Sequence, residues 1–281
     1  MRDKAKVVAE IGCNHTGVID TAMMLIEAAH SAGAYAVKFQ KRNNRELLTE
    51  EQYNAPHPCP CNSYGDTYGE HREFLEFTQD QHAELKKYCE KVGIVYSCSV
   101  WDMTSARDIV ELEPQMIKVP SAVNSNIDLI DYIYKNYRGE VHISLGMTTQ
   151  EERKILEGIT QSNLSTRTVY YACTSGYPVE PRECYLNELK RMPPCHEIGY
   201  SGHHIGTAID IAAYTLGATW IERHFTYSKY AKGTDHSCSL VLSELERLIE
   251  NLDVVREALN YRSGDISEVE VAQRDKLKWV L

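Results

Sequence analysis

Two lysines and two histidines carry the chemistry in this sequence. Lys38 stands in "AVKFQ", Lys118 in "MIKVP", His203 in "GYSGHH" and His224 in "IERHF". A lysine with apolar residues on both sides is seldom tolerated in a buried strand without a partner. Either each ammonium pairs with a nearby carboxylate such as Glu10, or the two together, with serines close by, cradle a phosphate or carboxylate. Two imidazoles on neighbouring strand ends can reach one divalent ion. Taken singly, a histidine at a strand end is a hydrogen-bonded core residue, a reading that also suits His204.

The elements that hold these residues repeat. A short run rich in β-branched or aromatic residues gives way to a polar turn, an amphipathic stretch and a glycine, and then another run follows. In the first unit, "KVVAEIG" precedes "DTAMMLIEAAHSAG", where Asp20 is expected to cap the helix and Gly33 to end it. The other runs are "AYAVKFQ", "GIVYSCS", "QMIKVP", "EVHISLG", "RTVYYACT", "HEIGYS" and "TWIERHF", and a final helix is expected with Leu245, Leu248, Leu252, Val255 and Leu259 on one face. Eight such units in 281 residues predict a single-domain (β/α)8 TIM barrel over residues 1–281. A doubly wound open sheet is the alternative, but "EIGCNHTG" lacks the G-x-G-x-x-G order after the first strand. Residues 41–77 read as an irregular insertion after the second strand, lying over the active-site face.

In a barrel the C-terminal strand ends form the site. The polar residues closing the runs are Glu10, Lys38 and Gln40, Ser97 and Ser99, Lys118 and Ser121, Ser144, Thr174, Ser201 with His203, and Glu222 with His224.

Composition narrows the function. A net charge of −10 with no basic tract offers no electrostatic footprint for nucleic acid, so an anionic ligand must be met by a few placed cations. No apolar run reaches membrane-span length, and no signal-peptide core follows the first residues, so a cytoplasmic protein is expected. Nine scattered cysteines do not suggest a disulfide framework. His57, Cys59, Cys61 and His71 could be read as a metal site, but C-x-C between prolines is not zinc-ribbon spacing.

With these motifs in hand, the chain resembles the catalytic barrel of the sialic acid (N-acetylneuraminate) synthases, a family that includes the nonulosonate and spore-coat polysaccharide synthases. The likeness runs through "AEIGCNHTG", "AGAYAVKFQ", "IKVPSA", "ISLGM", "CTSGYP", "GYSGHH", "GATWIERHFT" and "KGTDHSCSL". It implies condensation of phosphoenolpyruvate with an open-chain aldose to a 3-deoxy-2-ulosonic acid, with phosphate released by C–O cleavage. His203 and His224 are implied ligands of a divalent ion, manganese first, magnesium or cobalt otherwise. Lys38 and Lys118 are implied to hold phosphoenolpyruvate, with Ser99, Ser121, Ser144 and Ser201 around its phosphate. Gln40, Tyr177 and Asp235 are implied sugar contacts, as is Glu10, which is also the candidate for proton transfer. A homodimer is implied as well.

The chain departs from the family at three points. Gly202 stands where the family reads aspartate between the serine and the histidine, so a carboxylate beside the metal is expected to be missing. Val123 replaces an acidic residue, so a polar sugar contact is expected to be lost. The sequence also stops before the family's small antifreeze-like domain, and selectivity is expected to have moved away from N-acetylmannosamine. The competing functions are a lysine Schiff-base pyruvate aldolase and a catalytically weakened sugar-binding homologue.

Overall fold

The computed structural model describes residues 2–162 and 165–279. Eight parallel strands, β1 (Lys6–Gly12), β2 (Ala36–Lys41), β3 (Val95–Val100), β4 (Met116–Val119), β5 (Glu140–Ser144), β6 (Thr168–Cys173), β7 (Glu197–Gly202) and β8 (Trp220–His224), pair in sequence order. β8 returns to pair with β1, which closes the barrel and excludes the open sheet.

Alternation along each strand divides the side chains between two cores. Outward residues such as Val7, Ala9, Val37, Ile117, Ile143 and Ile221 pack against the helices in the main core. Inward residues form layers. At the foot, Glu197 Oε2 accepts from Lys6 Nζ at 2.8 Å and from Trp220 Nε1 at 2.7 Å. Above it lies an apolar plug of Val8, Ala36, Met116, Val169, Tyr171 and Trp220. The plug closes the barrel to water from below, so the charged layer above it opens only at the mouth.

Register then decides which polar residues meet. Glu10 pairs with Lys38 on one side and His224 on the other, Gln40 with Ser99, Ser99 with Lys118, and Ser201 with Glu222. Behind β8, the buried Arg223 donates to Asp210 Oδ2 at 2.5 Å and to the backbone oxygens of Gly206 and His204 at 2.7 and 2.6 Å. These bonds fix the turn that leaves β7 through His203.

Several local expectations change. The first helix, Ile19–Ser31, starts from Val18 without a side-chain cap, and Asp20 sits within the first turn, where its charge favours the helix dipole. Gly33 does turn the chain away, with φ +83°. The helix Leu242–Ala258 buries Leu245, Leu248, Ile249 and Leu252, while Leu259 lies beyond its end, and a further helix, Glu268–Leu277, follows with no buried residue. The insertion is not irregular: it folds as the helices Asn44–Leu47, Glu50–Asn54 and Tyr68–Leu75 and a 3₁₀ turn at Pro60–Asn62. Thr49 with Gln52 and Thr67 with Glu70 are capping boxes, a T-x-x-Q/E signal legible in the sequence but carried by helices too short to show periodicity.

Candidate active site

A cleft of about 270 Å³ opens at the C-terminal end of the strands. Its walls include Glu10, Lys38, Gln40, Ser99, Lys118 and Ser121, and opposite them Ser144, Tyr177, Ser201, His203 and His224. Asp235 lies outside it, in an adjoining cleft of about 270 Å³ that shares Gln40, Trp101, Tyr177 and His224 with the first. Of the twelve residues to which the resemblance gives roles, eleven therefore line one cavity and the twelfth lines its neighbour, while Ser97 and Thr174 of the strand ends line neither.

At the floor of the inner cleft both lysines are buried and paired. Lys118 Nζ donates to Glu222 Oε1 at 2.6 Å; Lys38 Nζ donates to Ser99 Oγ at 2.7 Å, forms an ion pair with Glu10 and lies 3.8 Å from Glu222 Oε1. Ser201 Oγ also donates to Glu222 Oε1, at 3.1 Å, and Gln40 Nε2 donates to Glu10 Oε1 at 2.8 Å. Each lysine thus pairs with a carboxylate, the first of the two alternatives. Burial opposes ionisation of Glu222, but Lys118 and Lys38 outweigh it and hold the carboxyl at about 2. For Lys38 the same balance runs the other way: burial disfavours the charge, and Glu10 and Glu222 raise the ammonium above its ordinary value.

The two lysines and two carboxylates balance in formal charge; Glu10 Oε2 is taken up by the ion pair with Lys38, whereas Glu222 Oε2 is buried with no hydrogen-bond partner. Glu222 is a residue that strand-end position had marked but to which no role was given. Its importance lies in spanning the mouth from β8 to β4, a contact 104 residues apart in sequence.

The two histidine rings lie 5.5 Å apart, centre to centre. His203 Nδ1 donates to the Thr174 carbonyl at 3.0 Å, which leaves Nε2 with its lone pair. Burial, reinforced by His224, lowers the His203 imidazole to about 3, so it is neutral at physiological pH, the form a metal needs. His224 Nδ1 is buried without a hydrogen-bond partner, 3.9 Å from Asp235 Oδ2. A free imidazole lone pair, an orphaned ring nitrogen and a nearby carboxylate form a donor set that fits a divalent ion. By contrast, His204 is a buried partner of Arg223 Nη1 at 3.0 Å, the core role the sequence allowed for it.

Another trio of close ligand atoms among the described residues, Glu140, His196 and Glu197, lies at the foot of the barrel. There Glu197 is already bonded to Lys6 and Trp220, and Glu140 to His142. His57, Cys59, Cys61 and His71 form no such trio among the described residues; His57 Nδ1 bonds the Cys59 backbone and His71 Nδ1 accepts the Tyr64 amide.

The two positions expected to have lost polar groups lie away from the inner wall of the site. A Cβ on Gly202 would lie 2.8 Å from both His204 Cε1 and Tyr200 Cε1, on the outer side of β7. A carboxylate there would press on the outer packing rather than reach a metal between His203 and His224. Val123 is partly buried against the outer core and lines neither cleft.

The outer cleft is where the insertion expected over the active-site face lies, and its two arginines are what sequence reading missed. Arg42 and Tyr64, Tyr68, His71 and Arg72 of the insertion face Lys232 and Asp235 of the loop after β8. Arg42 stacks 3.5 Å over the Trp101 ring and donates to Gln40 Oε1, and the buried Arg72 donates to Glu76 Oε1 at 3.0 Å. Both Nε atoms are buried without partners. Of the two arginines, Arg42, directly after β2, stood where a strand end could have signalled it.

A model of the NeuB family matches residues 25–263. The chain is 38% identical over 279 residues to the N-acetylneuraminate-9-phosphate synthase of Homo sapiens, covering 96% of this chain and 76% of that protein. It is 29% identical over 260 residues to the N,N'-diacetyllegionaminic acid synthase of Campylobacter jejuni, covering 91% and 78%. The crystal structure of N-acetylneuraminic acid synthetase from Leptospira borgpetersenii superposes with a TM-score of 0.83 at 24% identity, covering 98% of this chain and 93% of that one, a likeness of fold.

Proposed function

The chain belongs to the NeuB family of sialic acid and related nonulosonic acid synthases, and from that premise we propose that its two clefts divide the substrates of a condensation between phosphoenolpyruvate and an open-chain aldose. Phosphoenolpyruvate occupies the inner cleft, and the aldose runs outward past His203, His224 and Tyr177. The observation that carries this reading is the buried Lys38–Lys118 pair within a ring of serines, Ser99, Ser121, Ser144 and Ser201.

In that reading the lysines and serine hydroxyls hold the carboxylate and phosphate by charge-assisted hydrogen bonds that need no rearrangement as charge develops. Carbon 3 of phosphoenolpyruvate forms a bond to the aldehyde carbon, whose oxygen takes up a proton. Water adds at carbon 2 and gives up a proton, and the C–O bond to phosphate then breaks. Glu10, held by Gln40 and Lys38, is the candidate carrier of these protons. His203 and His224 hold a divalent ion, manganese or alternatively magnesium or cobalt, with Asp235 beside them. Such an ion supplies Lewis acidity toward the aldehyde oxygen. A homodimer acting in the cytoplasm completes the reading; among the described residues no helix is long and apolar enough to cross a membrane.

Bond cleavage is testable directly. Phosphoenolpyruvate labelled with heavy oxygen at the bridging position should release labelled phosphate. Label retained in the ketone product would mean P–O cleavage and a different mechanism. A Schiff-base aldolase would instead trap pyruvate covalently under borohydride.

The outer cleft bears on which aldose is used. Relatives differ here, since one set makes a 9-phosphate and another diacetyllegionaminic acid. Three product carbons come from phosphoenolpyruvate, so a phosphate on carbon 9 corresponds to carbon 6 of a hexose. Arg42 and Arg72, with unpartnered Nε donors and only the Arg72 guanidinium bonded to Glu76, favour an aldose with a terminal phosphate. Arg72→Gln should lower kcat/KM for the 6-phosphate roughly 30-fold, the size of one charged hydrogen bond, and leave the unphosphorylated aldose little changed. Equal losses on both sugars, or a wild-type preference for the neutral one, would count against this substrate.

A further inference from the structure

We propose that Cys59 and Cys61 form a C-x-C dithiol that closes reversibly to an intrachain disulfide on the cover of the outer cleft, with a small-molecule disulfide as oxidant. The two sulfurs are 2.8 Å apart, and no disulfide joins them. Cys61 is exposed and Cys59 half-buried, whereas Cys89, Cys98, Cys184 and Cys238 are buried away from any reagent. The backbone suits closure. Cys59 caps the 3₁₀ turn Pro60–Asn62, and Asn62 N–H donates to the Cys59 carbonyl at 3.0 Å. A turn of this kind brings residues two apart to a Cα separation of about 5.5 Å, inside the range that disulfides span.

The exchange balances as follows. The Cys61 thiolate attacks one sulfur of RSSR and expels RS⁻, giving a mixed disulfide. Cys59 then attacks the Cys61 sulfur and expels the second RS⁻. The protein gives up two protons and two electrons, and two molecules of RSH leave. The hydrogen bond from its neighbour raises the Cys61 thiol above its ordinary value, so exchange should quicken as pH rises.

The turn matters because it clasps the loop after β8. Asn62 Oδ1 accepts the Gly233 amide at 3.3 Å, Tyr64 OH donates to the Lys232 carbonyl at 2.6 Å, and Lys232 Nζ lies 4.6 Å over the Tyr64 ring. Lys232 leads to Asp235 and His236, both on the outer cleft. Drawing the sulfurs to bonding distance retorques the segment that carries Asn62 and Tyr64. Its effect on catalysis rests on the proposed function, with the aldose in the outer cleft. Oxidation should therefore raise KM for the aldose about five-fold, the worth of one hydrogen bond of the clasp, and leave KM for phosphoenolpyruvate unchanged.

The test uses the full chain equilibrated in glutathione buffers of stepped oxidised-to-reduced ratio, followed by intact mass, peptide mapping and kinetics. Expected are a loss of two hydrogens mapped to Cys59 and Cys61, reversal by dithiothreitol, and a KM shift absent from Cys59→Ser and Cys61→Ser. Nine titratable thiols at every ratio, or a bridge mapped to other cysteines, would overturn the dithiol. A Cys59–Cys61 bridge with unchanged aldose KM would overturn the regulatory part. If the reduced chain turned over no aldose at all, the functional reading would fail while the mass result still decided the dithiol.

Discussion

Lys118→Met is expected to lower kcat/KM for phosphoenolpyruvate by roughly three orders of magnitude, the scale of losing a preorganised charged donor in a water-excluded site. The substitution also removes the hydrogen-bonded partner of the buried Glu222 carboxylate, at 2.6 Å. An unpaired buried charge destabilises a fold by about 3–5 kcal/mol, so a lower melting temperature alone would be uninformative. Pairing the change with Glu222→Gln separates the effects. The double variant removes the orphaned charge and should regain most of the lost stability. It should regain none of the activity, because the missing ammonium belongs to the substrate. If the double variant recovered activity along with stability, Lys118 would be a structural residue and the anion cradle would be wrong.

The second large effect concerns His203 and His224. Exhaustive chelation should abolish turnover and Mn²⁺ should restore it, since an ion held by few protein groups keeps positions open to water and substrate and exchanges readily. His203→Ala should weaken Mn²⁺ binding about 100-fold or more, read by electron paramagnetic resonance of the free ion without reference to catalysis. His204→Gln, at a residue that bonds Arg223 on the outer side of the barrel, should lower stability and leave Mn²⁺ affinity unchanged. Full activity after chelation, or unaltered Mn²⁺ binding in His203→Ala, would remove the metal from the reading.

Both experiments address residues that their place at the ends of apolar runs had marked. Along a strand, side-chain direction has period two, so "AVKFQ" and "IERHF" already determine that Lys38 shares a face with Gln40, and Glu222 with His224. Eight runs separated by helix-length segments likewise determine the barrel, because each strand must be covered on both faces. Those are local properties, and they were legible for all eight strands. The short helices of the insertion were not, since four to eight residues give too few turns for a periodic stripe.

What the sequence could not determine is which marked residues touch. Whether Lys118 meets an anion or Glu222 depends on closure of the barrel and the stagger of its strands, which bring β4 and β8 face to face across the mouth. Gly202 and Val123 read as losses from the site by comparison with the family's acidic residues, a comparison that carries no side-chain direction. In the fold, position 202 points to Tyr200 and His204, and Val123 to the outer core. Arg42 and Arg72 become a pair only when the insertion folds back over the loop after β8. Alternation follows from the geometry of each residue and its immediate neighbours, whereas contact across a closed barrel is fixed by the packing of the whole chain, which no short stretch contains.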